Sequence, residues 1–328
     1  MPIIDAHMHL NGDHPDTLAL LEARDLRLLN ICVAEHNDTW RTQERDPYHR
    51  LAREHPERYA WCTSFDLPTF EPDYVERAIA GLDQDLADGA VACKVWKNIG
   101  MEVRTPAGEW LMVDDPLFDP VFDHLARNGV PLLMHIAEPL ACWRPLSEAG
   151  PHQAYYQRHP EWHMHGRSDV PSHERLMAAR DAVLARHPRL RVIGAHLGSL
   201  EYDVAEVAQR LERYPNFAVD TSARLGDLMA QDGEAVRAFF LRYPERILFG
   251  TDVVLRTAHS TLPAAELARQ IAQLEASYDD HARYFETDEV VTHRGVTSRG
   301  IHLPDDVLER FYRQNARAWY PRAWPELA

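Results

Sequence analysis

Cysteine is scarce in this 328-residue chain: Cys32, Cys62, Cys93 and Cys142 are the four present, and they are widely spaced. No disulfide framework follows from such spacing, and the first three lie in strand-like apolar runs where a buried thiol is the expected state. Positive charge is also in deficit. Lys and Arg number 35 against 51 Asp and Glu, a net charge of −16, which argues against a nucleic-acid-binding surface and disfavours an anionic membrane as partner. No apolar run approaches the roughly 18 residues of a membrane span, and no cationic segment with an apolar stretch and small-residue cleavage site opens the sequence. The expected location is cytoplasmic. A phosphate-binding glycine loop is missing as well: the turn after the first apolar run reads Leu10-Asn11-Gly12-Asp13-His14, without the G-x-G-x-x-G of a dinucleotide-binding doubly wound sheet. Repeats, low-complexity tracts and linkers are absent, so residues 1–328 are expected to form one domain.

Against these absences stand an ordinary globular composition, 45% hydrophobic, and short apolar runs that alternate with amphipathic stretches. Eight strands are expected, at Ile3 to Met8, Ile31 to Ala34, Tyr59 to Phe65, Ala90 to Trp96, Pro131 to Ile136, Leu190 to Ala195, Phe217 to Thr221 and Ile247 to Gly250. Their continuous hydrophobicity suits strands buried on both faces. Helices are expected between them, at Pro15 to Leu29, Asp73 to Leu86, Pro116 to Arg127, Ser172 to Arg186, Val204 to Tyr214 and Glu234 to Arg242. A last helix, Asp305 to Tyr320, should pack outside the assembly or across its base. Helix-ending signals such as Asp88-Gly89, Asn128-Gly129 and His187-Pro188 introduce several strands. Eight βα units in about 250 residues predict an α/β fold, the (β/α)8 TIM barrel. Two connections, about 137–171 and 255–303, are too long for plain βα loops and are expected to form lid loops at the mouth.

The chemistry is concentrated at strand ends. In Ile3-Ile4-Asp5-Ala6-His7-Met8-His9-Leu10 two histidines stand at i and i+2, and alternate strand side chains share a face, so both imidazoles can meet one cation. The fifth strand ends in His135, the sixth in His196 and the eighth in Asp252. In a parallel barrel every C-terminal strand end opens on the same side. Singly, each residue has an ordinary explanation, a hydrogen-bonded core histidine or a helix-capping aspartate. Together, four imidazoles and a carboxylate at one mouth are costly to bury without a metal or a complete hydrogen-bond network. The donor set suits Zn²⁺, with Mn²⁺, Fe²⁺ and Co²⁺ compatible.

This pattern resembles the amidohydrolase superfamily of metal-dependent (β/α)8-barrel enzymes. Within it, the chain looks closest to the amidohydrolase-related branch that includes the aminocarboxymuconate semialdehyde decarboxylase relatives. The resemblance rests on the His-x-His of the first strand, the later strand-end ligands, the stretches IIDAHMHL and ILFGTDVV, and the late QNARAWY helix. It implies that His7, His9, His135 and Asp252 hold the metal and that His196 orients or deprotonates its water or polarises the substrate. Lys94 lies inside the apolar run Val91 to Trp96 and must reach the mouth, find a partner or lose its charge. In binuclear members a carboxylated fourth-strand lysine bridges two metals, so Lys94 with His196 offers a second site; one ion is expected rather than two. Lys97 has the opposite parity and is expected in a loop or at the surface.

Asp5 and Glu138 are candidates to fix an imidazole tautomer. In the loop after the fifth strand, Arg144 and His165 are candidate substrate contacts, and Arg224 after the seventh strand is another. His163-Met164-His165 repeats the His-x-His spelling inside a loop, where no independent metal site is expected. Tyr284, Phe285 and Glu286 are assigned to the last lid. The resemblance implies hydrolysis of a small cyclic ester or lactone, amide or related carbonyl compound through a metal-activated water, with Asp252 or His196 moving its proton. The alternative is a metal-dependent carboxy-lyase acting on a small, aromatic or other carboxylic acid, which the same ligands would serve. A non-catalytic metal or sugar-acid binding barrel is the third reading, disfavoured because no ligand position is missing. The expected partner is a small-molecule substrate, with a homodimer as the default assembly.

Overall fold

The computed structural model describes residues 2–324. Nine parallel strands form one sheet: β1 (Ile3–Leu10), β2 (Leu26–Ile31), β3 (Tyr59–Ser64), β4 (Ala92–Val95), β5 (Leu132–Met134), β6 (Val192–Gly194), β7 (Phe217–Asp220), β8 (Ile247–Leu248) and β9 (Val254–Leu255). Their spatial order, β8-β7-β6-β5-β4-β3-β2-β1-β9, follows the sequence from β1 to β8. That is the (β/α)8 order, with helices such as Tyr74–Ala87, Asp119–Arg127, His173–Arg186 and Val204–Arg213 in the crossovers. β8 and β9 are two pieces of one run. Its start pairs with β7 and its end with β1, where His9 faces Val254 and Leu10 faces Leu255. Between them Ala6 N–H donates to Phe249 O at 2.9 Å and Asp252 N–H to His7 O at 2.8 Å. These bonds carry the last strand across to the first.

Two apolar layers result. Ile4, Leu29, Ile31, Leu133 and Ile193 cluster inside the ring of strands, together with Tyr320 and Trp324, so the segment around Tyr320 to Trp324 packs across the base. Met8, Leu10, Leu28 and Val95 belong to the larger layer between strands and helices. On β1 the inner residues are Ile4 and Ala6 and the outer ones Met8 and Leu10, which strict alternation forbids. A register shift between Asp5 and Met8 resolves this: Asp5 pairs with Leu28 but Met8 with Asn30. One extra residue reverses the parity of the strand, and such bulges re-aim side chains next to functional sites. His7 and His9 turn inward because of it.

Some elements lie elsewhere than the sequence suggests. β2 begins at Leu26, within the expected first helix, which stops at Ala23. The leucine-rich run has helical spacing, but Asp25 adopts a left-handed φ of 48° and turns the chain. The 255–303 connection holds a 23-residue helix, Ala264–Glu286, followed by the antiparallel hairpin β10 (Val290–His293) and β11 (Val296–Arg299). Tyr284 and Phe285 are buried core residues of that helix rather than lid residues, and Glu286 ends it. The 137–171 connection contains short 3-10 turns and one helix, Gln153–Arg158. Among the described residues no helix is long and apolar enough to cross a membrane.

Candidate metal centre

The mouth at the C-terminal strand ends is built from β1, β5, β6, β7 and the end of β8. His7, His9 and Asp252 each offer one ligand atom, and these atoms lie within 4.8 Å of one another. Asp252 Oδ1 stands 3.4 Å from His9 Nε2 and 3.8 Å from His7 Nε2. Gly250 permits this closeness, since a Cβ there would meet His7 Cβ at 3.0 Å. His135 is not in that group; its ring lies edge-on to His196 with centroids 4.3 Å apart, and its Nε2 is buried without a hydrogen-bond partner. His9 Nδ1 is likewise unpartnered. Burial pushes the pKa of His9 down to about 3 and those of His135 and His196 well below the ordinary histidine value. Neutral imidazoles with free lone pairs are the ligand form of histidine. Burial opposes ionisation of Asp252, but the hydrogen bond with His9 and the surrounding imidazoles outweigh it and hold the pKa well below the usual carboxylate range.

A residue that the sequence reading did not single out organises this centre. Asp220, at the end of β7 and fully buried, accepts from His7 Nδ1 at 2.9 Å, from the His196 N–H at 2.8 Å and from the Ser222 N–H at 3.1 Å. Here too burial opposes ionisation and His7 outweighs it, leaving a pKa of about 2. A carboxylate only accepts, so His7 carries its proton on Nδ1 and presents the Nε2 lone pair to the centre. Ser222 Oγ lies 3.1 Å from His7 Nδ1 and 2.9 Å from His196 Nδ1. His7, His196 and Asp220 form a second compact group, but the His7 nitrogen facing it is the one bonded to Asp220. The available signal was that Asp220 ends the seventh strand at the same mouth.

Lys94 is buried with Nζ 3.2 Å from His7 Nε2, and burial lowers its pKa. Lys97 lies in the turn after β4, as expected of a loop residue, but it is only 3% exposed, which corrects the alternative of a surface position. β4 ends at Val95 and the chain then bends through Asn98–Met101, where Ile99 and Gly100 leave helical geometry, so strand parity does not extend to it. Lys97 forms an ion pair with Glu138, and its ammonium sits 3.7 Å from the centroid of Trp162. Glu138 also accepts from Tyr156 Oη at 3.0 Å. Asp5 accepts from Thr251 Oγ1 and Tyr278 Oη outside the ring. Among the described residues neither carboxylate bonds to an imidazole.

Strain collects at this end of the molecule. Ala137, His196, Ala223 and Asp252, all just beyond β5 to β8, have φ between 55° and 74°. Left-handed geometry costs a non-glycine residue about 1 kcal/mol or more, and such outliers gather at functional sites. The mouth opens into a cavity of about 650 Å³ lined by His135, His196 and Asp252, by Lys97 and Glu138, and by Tyr155, Arg158, Arg224 and Arg294. Arg224 is buried there with its Nε unpartnered. Arg144 lines a separate 190 Å³ cavity with Glu201 and Asp227. His163 Nε2 and His165 Nδ1 lie within hydrogen-bonding distance of Arg144 O and Trp143 O, at 3.0 and 3.2 Å.

A profile of the amidohydrolase family matches residues 4–322. The chain belongs to the amidohydrolase family. The 5-carboxyvanillate decarboxylase of Sphingomonas paucimobilis superposes with a TM-score of 0.55 at 14% identity, over 98% of this chain and 99% of the other. A 2,6-dihydroxybenzoate decarboxylase gives 0.52 at 20% identity, over 94% and 88%. The 4-oxalomesaconate hydratase of Rhodopseudomonas palustris gives 0.54 at 12%, over 99% and 97%. At these identities the likeness is one of fold. No curated protein matches the sequence significantly.

Proposed function

We propose that this amidohydrolase-family protein is a metal-dependent hydrolase of a small cyclic ester, lactone, amide or related carbonyl compound. The observation that carries the reading is the group His7, His9 and Asp252, with His7 oriented by Asp220, opening on the cavity that His135, His196 and Asp252 line. His7, His9 and Asp252 would hold one divalent cation, zinc fitting the donors best, with His135 and its unpartnered Nε2 completing the set. A cation there supplies Lewis acidity, polarising a carbonyl and acidifying water. The protein's own groups do the rest. Asp252, an ionised carboxylate at the cavity wall, accepts the proton of the attacking water and returns it to the leaving group. His196, neutral and donating its Nδ1 proton to Ser222 O, presents the Nε2 lone pair and accepts a hydrogen bond from the attacking water, orienting it. One ion is favoured because His7 Nδ1, the atom facing the second group, is engaged with Asp220.

A carboxy-lyase is the competing reading, and the Lys97–Glu138 pair on the cavity wall favours it, since it offers a proton to a carbon left by CO₂. The test is Asp252→Asn on metal-loaded protein, assayed against a lactone panel by acid release and an aromatic acid panel by CO₂ release. Acid release by the wild type, abolished in a folded variant, is expected. Near-normal activity of the variant would sink the mechanism, and CO₂ release alone would replace the reaction.

A further inference from the structure

Arg294 occupies a position that local backbone chemistry does not favour. In the hairpin His293 pairs with Val296, leaving Arg294-Gly295 as a two-residue turn with φ of 46° and 84°. A turn with both central residues left-handed favours Asn, Asp or Gly at its first position, where a long side chain is strained. The hairpin is held firmly: Val291 is buried, His293 Nδ1 meets Asp280 Oδ2 at 2.8 Å, and Arg283 donates to Val290 O at 2.9 Å. Its tip therefore presents Arg294 at a fixed place. That place lies between two cavities, the 650 Å³ cavity of the metal centre and a neighbouring one of 460 Å³, which share Ala223, Asp252 and Arg294.

Among the described residues Arg294 makes neither a hydrogen bond nor an ion pair through its side chain, although the chain carries a large excess of acidic residues. Arg224, in the same cavity, is buried, donates to Ala223 O at 3.0 Å and keeps its Nε free, with Asp227 no nearer than 4.0 Å. Lys97 is already neutralised by Glu138. Two arginines thus line one cavity, the exposed Arg294 with its donors unengaged and the buried Arg224 with Nε free, and a guanidinium fork matches a carboxylate. We infer that Arg294 determines specificity: with Arg224 it receives a carboxylate of the substrate that is separate from the group turned over.

This rests on the hydrolase reading only for the word substrate, so the test uses binding without turnover. Isophthalate, with two carboxylates, and benzoate, with one, are titrated calorimetrically into metal-loaded wild type, Arg294→Ala, Arg294→Lys and, as a control on the same hairpin, Arg299→Ala. Wild type should bind isophthalate at least about tenfold tighter than benzoate. Arg294→Ala should abolish that preference while leaving benzoate within twofold; Arg294→Lys should restore part of it, and Arg299→Ala should change nothing. Equal weakening of both probes, an unchanged preference in Arg294→Ala, or no binding of isophthalate to wild type would overturn the assignment. Arginine-dependent binding in a protein that hydrolyses no ester would refute the hydrolase reading and leave this one standing.

Discussion

Replacing Asp220 by Asn is nearly isosteric and removes one charge, so its consequences can be followed atom by atom. The amide oxygen can take over the backbone N–H groups of His196 and Ser222, which now donate to Oδ1 at 2.8 and 3.1 Å. The amide nitrogen then replaces Oδ2 and faces His7 Nδ1, 2.9 Å away. Two donors cannot share that contact, so His7 must move its proton to Nε2, the atom turned toward Asp252 and Lys94. The lone pair meant for the cation is lost unless the ring rotates. Losing such a hydrogen-bonding partner of a metal ligand typically weakens metal affinity about 10- to 100-fold, or about 1.4 to 2.7 kcal/mol. Competition against a chromophoric chelator at neutral pH, with zinc and with manganese, measures it, and circular dichroism checks the fold. A folded Asp220→Asn variant whose metal affinity stays within twofold of wild type would refute the tautomer argument.

Breaking the buried Lys97–Glu138 pair from one side, in Glu138→Gln, should destabilise the protein by about 3 kcal/mol, and Lys97→Met with Glu138→Gln should recover much of it; urea denaturation reads both. Glu201 is 2% exposed with Oε2 unpartnered, and burial together with Asp227 raises its pKa to about 7. The folded state therefore keeps a proton that the unfolded chain releases near 4.5, and this carboxyl lowers stability as pH rises from about 4.5 to 7. Glu201→Gln should leave the unfolding free energy unchanged near pH 4 and raise it at pH 8 by up to about 3 kcal/mol, read by urea denaturation; an equal effect at both pH values would contradict the burial argument. Leu133→Ala, inside the ring, should cost about 2 to 5 kcal/mol in denaturant unfolding.

The repeated βα pattern was legible because each strand is a short apolar run between breakers, and strand-end polar residues are read from position alone. β2 was misplaced because Leu18 to Leu29 has helical spacing and only the backbone at Asp25 reveals the turn. The helix Ala264–Glu286 lay in a stretch read as loop, although Leu267, Leu274, Tyr278 and Phe285 bury one side of it. His7 and His9 were expected on one face, and they are, but through a bulge that alternation does not reveal. Lys97 shows the opposite failure, a parity argument continued past the end of β4. Arg294 gains its role from a cavity, which no local pattern encodes, whereas Asp220 is legible as a polar strand end but its bond to His7, hundreds of residues away, is not.

Metal content per chain, by elemental analysis of protein purified without chelator and after reconstitution, tests the central claim most directly. Wild type and Lys94→Met should each hold one equivalent of zinc, manganese, iron or cobalt, and His9→Ala should lose it. No metal in the reconstituted wild type, or full retention in His9→Ala, would contradict the centre built on His7, His9 and Asp252; two equivalents falling in Lys94→Met would contradict the single ion.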